Sequence, residues 1–169
     1  GKQGAEAYAL ARKIPAANVL SVTANKDETI SWDEFRKDLL EPVKKAVLAN
    51  ERLLYLVSCF GVPLRIKDGD KRNEGKEPPR NMINDIKDYA AVDAELALLL
   101  QPDYDTRSAY ASPYHDAASP PARSDNVLMV SRLDAPALAQ ALSMVEKAIV
   151  AESFGPVGES FLDTRGFTA

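Results

Sequence analysis

Leu53-Leu54-Tyr55-Leu56-Val57-Ser58 is an apolar run that follows the charged pair Glu51-Arg52, and Val127-Leu128-Met129-Val130 is a second run of the same kind. Neither alternates between apolar and polar residues. A half-exposed strand would alternate, whereas a strand covered on both faces reads as a continuous apolar stretch. Both runs are therefore read as strands of a parallel sheet with helices over each face. Outward from them the period lengthens. Ser31-Trp32-Asp33-Glu34 fits a capping box, with Ser31 at the N-cap and Glu34 three residues on. Trp32, Phe35, Leu39, Val43 and Ala46 then recur at steps of three and four and share one helical face. Pro42 lies inside that stretch, where its missing N–H is expected to kink or split the helix. Beyond the second run, Asp134 is expected to cap a helix with Pro136 in its first turn. There Leu138, Leu142, Val145 and Ile149, widened by Ala141, Met144 and Ala148, form a stripe suited to covering a sheet. Gly155-Pro156 ends it.

The rest is placed around this frame. Ala5 to Lys13 reads as an Ala-rich helix stopped at Pro15, and Asn18 to Thr23 as a short buried strand. Leu64-Arg65-Ile66 reads as an extension of the Leu53 strand beyond Gly61 and Pro63. Lys67 to Asn81 is a charged, solvated loop; Met82 to Leu100 has helical spacing; Gln101 to Asn126 has no period. Ser160-Phe161-Leu162 is a last strand. The order α-β-α-β-α-loop-β-α-β predicts crossover connections, hence a three-layer, Rossmann-like α/β domain over 1–169 with a mostly parallel sheet of about four strands.

Composition sets limits on function. The 169 residues are 46% hydrophobic and 27% charged, the balance of one folded domain rather than a disordered chain. A formal charge of −4 with no Lys/Arg stripe argues against a nucleic-acid binder. No apolar run reaches the ~18 residues of a membrane helix. A single cysteine, Cys59, forms no internal disulfide, so the compartment is not legible from cysteine pairing. No signal peptide is present; the opening Gly1-Lys2-Gln3-Gly4 leaves export with a removed signal open. The ending at Phe167-Thr168-Ala169, just after a strand, leads to the expectation of a longer protein of which this is the N-terminal part.

Ligands of open parallel sheets bind outside the carboxyl ends of the strands. That rule selects four tips, Thr23 to Asp27, Cys59 to Gly61, Ser131 to Asp134 and Asp163 to Arg165. They carry a candidate binding cluster of Asn25, Asp27, Arg132, Asp134, Asp163 and Arg165. The plainer reading keeps Asp134 as a helix cap and pairs Arg132 with it or with Asp163. Cys59 and His115, the only histidine, form the one Cys/His dyad open to this chain. A lone cysteine after an apolar strand is more commonly a small buried hydrophobe.

No metal or cofactor is expected. One His and one Cys do not make a structural zinc site. Asp68-Gly69-Asp70 begins like a calcium loop, but Asn73 stands where Gly belongs and Pro79 where Glu belongs. Asp93 and Glu95, two apart on a helix, point apart and make no local carboxylate pair, although Glu95 and Asp134 could meet through the fold. No phosphate-cradling Gly-rich loop and no G-x-S-x-G is present. Tyr104, Tyr110 and Tyr114 either form a recognition surface on the long loop or pack it onto the domain.

A series of segments, read in order, carries a resemblance. It comprises Arg12-Lys13-Ile14-Pro15 with Asn18-Val19, Tyr55-Leu56-Val57 with Gly61 to Ile66, Val92 to Leu99, Val130 to Pro136, Ala151-Glu152, and Leu162 to Gly166. This series resembles a family of uncharacterised bacterial proteins, across nearly the whole chain. The resemblance brings no catalytic residues, because no activity is established for that family. A strand, then Arg132, then a helix ending in Ala151-Glu152 is also distantly similar to gingipain-type cysteine peptidases, whose sheets are caspase-like. Their Gly-His-Gly segment is missing here. The resemblance implies a non-catalytic or incomplete half of a caspase-like bacterial protein. It would act in binding or as scaffold for a missing C-terminal half or another protein partner, with no activity expected of this chain alone. The alternatives are a small enzyme or anion-binding module on the strand-end cluster, and a cysteine hydrolase using Cys59 and His115.

Overall fold

The computed structural model describes residues 2–67, 89–101, 112–114 and 118–155. Within them helices and short strands are mixed. Helix α1 spans Lys2–Ala11 and ends where Lys13 turns left-handed at φ 55°, two residues before Pro15. The expected strand at Asn18 to Thr23 is absent. Ala16–Asn18 is instead a 3₁₀ turn, with the Asn18 and Val19 N–H groups donating to Pro15 and Ala16 carbonyls. Val22 and Ala24 then pack against the core from outside any sheet. The apolar content of this stretch reflects contact with the core, which does not require strand pairing.

Strand β1 (Thr29–Ser31) runs straight into helix α2 (Trp32–Glu34). The expected capping box is formed in full. The Glu34 N–H donates to Ser31 Oγ at 3.3 Å, and the Ser31 N–H donates to Glu34 Oε2 at 2.8 Å. The proline also acts, but upstream of itself. Phe35–Leu40 winds as a π-helix, with the Glu41 N–H reaching the Arg36 carbonyl, and helix α3 (Glu41–Leu48) starts with Pro42 in its first turn. The wider turn absorbs the bond that Pro42 has no N–H to make. The buried face consequently falls on Trp32, Phe35, Leu39 and Val47 rather than ending on Ala46.

Strand β2 (Tyr55–Cys59) and strand β5 (Met129–Leu133) pair in parallel, with Tyr55 opposite Met129 and Cys59 opposite Leu133. The two continuous apolar runs are thus adjacent and co-directional. The Arg65 stretch does not extend β2. It forms its own strand β3 (Arg65–Lys67), parallel to β1 and antiparallel to β4 (Tyr89–Ala91). Among the described residues there are therefore two small sheets, ordered β1-β3-β4 and β2-β5, in place of one sheet of about four strands. The helical reading of Met82 to Leu100, as one long helix or two shorter ones, is corrected over its described part, since Tyr89–Ala91 is strand and helix α4 covers only Val92–Ala97. Tyr89 and Ala90 fit a helical period, but pairing with Lys67 and Ile66 decides their conformation. The expected strand at Ser160 to Leu162 lies outside the described residues.

The main core joins both sheets: Ile30, Phe35, Leu39, Ile66, Val92, Leu96 and Leu128 are buried together, and Leu56 and Val130 of the β2–β5 ladder pack against them. Side chains of this size contribute about 1.5–3 kcal/mol each when fully buried. Trp32 meets Phe35 edge-on, with ring centroids 5.6 Å apart. On the other side of the ladder, Leu133 packs with Ala141 and Val145 of helix α5 (Leu138–Phe154), and Tyr8 of α1 joins them. Only the first part of the predicted α5 stripe is covered. Met144 and Ile149 of that stripe stay 45% and 36% exposed. Among the described residues no helix is long and apolar enough to cross a membrane.

Candidate functional site

The β2–β5 register places Ser58 directly opposite Arg132. Partners in a parallel ladder project from the same face, two residues along from the apolar pair Leu56 and Val130. That face is met by the N-terminal turn of α4, which carries Asp93. The three side chains converge. Arg132 Nε donates to Asp93 Oδ2 at 2.7 Å and Nη2 to Asp93 Oδ1 at 2.8 Å, while Ser58 Oγ donates to the same Oδ1 at 2.8 Å.

The other side of the guanidinium is held by backbone. After β2 the chain reverses through a turn closed by the Val62 N–H on the Cys59 carbonyl at 3.1 Å. Gly61, third in that turn, has φ 86°, a conformation in which a Cβ is strained. The turn delivers two carbonyls to Arg132: Val62 O accepts from Nη1 at 2.7 Å and Pro63 O from Nη2 at 2.9 Å. Asp134 Oδ2 lies 3.5 Å from Nη1. Four of the five guanidinium N–H groups are thus used in hydrogen bonds within the chain, and the atom carrying the fifth faces Asp134. The Arg132 side chain is 16% exposed.

Asp134 is not the cap of α5. Its Oδ1 accepts from the Ala135 N–H at 2.9 Å, and the helix begins after Ala137, whose N–H donates to Gln140 Oε1 at 3.1 Å. Ala135, which precedes Pro136, is disfavoured from helical conformation, and the nearby Arg132 attracts the carboxylate. Asn25 and Asp27 sit elsewhere. Asn25 Nδ2 donates to Glu34 Oε1 at 3.2 Å, and Asn25 Oδ1 accepts the Asp27 N–H at 3.2 Å, so both belong to the approach to the α2 cap. The Ser31 N–H, the Ser31 hydroxyl and Asn25, in that order of weight, hold the Glu34 carboxyl below its ordinary range. Asp163 and Arg165 lie outside the described residues.

Cys59 ends β2, half-buried, and its thiol makes a weak contact to the Val57 carbonyl at 3.7 Å. Burial pushes the thiol up, the opposite of what a nucleophile needs. His115 lies outside the described residues. Of the loop tyrosines, Tyr114 packs onto the body, its hydroxyl donating to the Val127 carbonyl at 2.7 Å; Tyr104 and Tyr110 lie outside the described residues. No group of three or more His, Cys, Asp or Glu able to hold a metal occurs among the described residues.

Of the six residues expected at one site, four are described: Arg132 and Asp134 come together, while Asn25 and Asp27 lie apart from them beside the α2 cap. Asp93, the two-point partner of Arg132, and Ser58, which donates to Asp93, do not appear in that set. No local signal singles out Asp93, because nothing along the chain joins it to an arginine 39 residues away. No family model, curated protein or solved structure matches the chain.

Proposed function

We propose that this chain is a non-catalytic binding or scaffold domain, one half of a caspase-like bacterial protein built on a Rossmann-like plan. One observation carries the non-catalytic part. The strand-end arginine, the group best placed to hold a ligand, is already engaged by Asp93, two backbone carbonyls and Asp134. An incoming anion would have to displace those partners, and removing a paired carboxylate leaves a charge without compensation. The raised Cys59 thiol favours the same reading over a cysteine hydrolase. Parallel pairing of β2 with β5, with helical residues packed on either side, is in keeping with the Rossmann-like plan. The caspase-like part rests on the series of sequence segments.

The test is to read the gene around these residues and, where it encodes a further domain, to titrate that domain into this chain by calorimetry. A saturable complex, together with no peptidase or esterase turnover by this chain alone, is the expected result. Turnover that disappears in Cys59→Ser or Arg132→Ala would contradict the proposal. A gene with no further domain would remove the half-protein part of it.

A further inference from the structure

We draw no further inference here: the strongest candidate, the exposed apolar patch of Val150 and Phe154 on the last turns of α5, carries nothing because nothing in the structure shows what covers it.

Discussion

Arg132 grips Asp93 at two points, Nε to Oδ2 at 2.7 Å and Nη2 to Oδ1 at 2.8 Å, across 39 residues of sequence. A planar guanidinium matches a carboxylate in this way, which fixes orientation as well as distance. The pair ties β5 to the start of α4, while the remaining donors tie it to the turn after β2. Because β4 leads directly into α4, the same contact links the β2–β5 ladder to the β1-β3-β4 sheet. Arg132 is in this sense a bolt between two small sheets.

Replacing Arg132 with Ala should cost about 3 kcal/mol, the lower end for breaking a buried pair. The lower end applies because the Asp93 side chain keeps 30% of its exposure and can recruit water. Arg132→Lys should recover only a minor part, since an ammonium does not reach both carboxylate oxygens and both carbonyls at once. In double-mutant cycles the Arg132–Asp93 coupling should exceed the Arg132–Asp134 coupling, which at 3.5 Å through one atom should stay under about 1 kcal/mol. Urea unfolding midpoints of the single and double variants give these values, and equal couplings would count against the bolt.

Gly61→Ala should destabilise the chain by about 1–2 kcal/mol, the cost of a Cβ in the left-handed region. The φ of 86° sets that cost, and the turn it shapes presents Val62 O and Pro63 O to Arg132. The effect should therefore shrink when Arg132 is already Ala. Additive losses would mean that turn and arginine act independently.

Cys59 should alkylate slowly. Its thiolate should form with a midpoint above the ordinary 9.0, because burial disfavours the charged form. Rates of iodoacetamide labelling against pH, native and in denaturant, test this. A native midpoint below that of the unfolded chain would reverse the assignment and reopen nucleophilic chemistry at this residue.

Glu34 has its folded pKa lowered from 4.5, first by the Ser31 N–H and then by the Ser31 hydroxyl and Asn25. The unfolded chain takes up that proton at higher pH than the folded chain does. The contribution to stability is therefore complete above the unfolded value and lost as pH falls through the folded one. Glu34→Gln should be less stable than the parent near neutrality and converge with it in strong acid. Ser31→Ala should cost about 1 kcal/mol near neutrality as a lost cap. A constant gap between Glu34→Gln and the parent at every pH would contradict the linkage.

What the sequence disclosed depended on range. The capping box at Ser31 and Glu34 was legible because its two halves lie three residues apart. The β2 and β5 strands were legible because burial on both faces leaves a continuous apolar run. Tyr89–Ala91 was not, since a three-residue strand is decided by its partner β3 and its own spacing fits a helix. The Val22 stretch misled for a related reason, as apolar residues can serve the core without pairing. At the candidate site Arg132 and its ion pair with Asp134 were legible, but its closer, two-point partner Asp93 was not. Local spacing reports neighbours along the chain, and Asp93 becomes a neighbour only when α4 lies against β5.

The most direct test of the central claim is to follow the Arg132 Nε–H signal by NMR while phosphate is added to the intact chain. An arginine engaged by Asp93 should give a protected, slowly exchanging signal that phosphate does not shift beyond the general effect of ionic strength. A saturable shift of that signal would show an anion-accepting group and contradict the account.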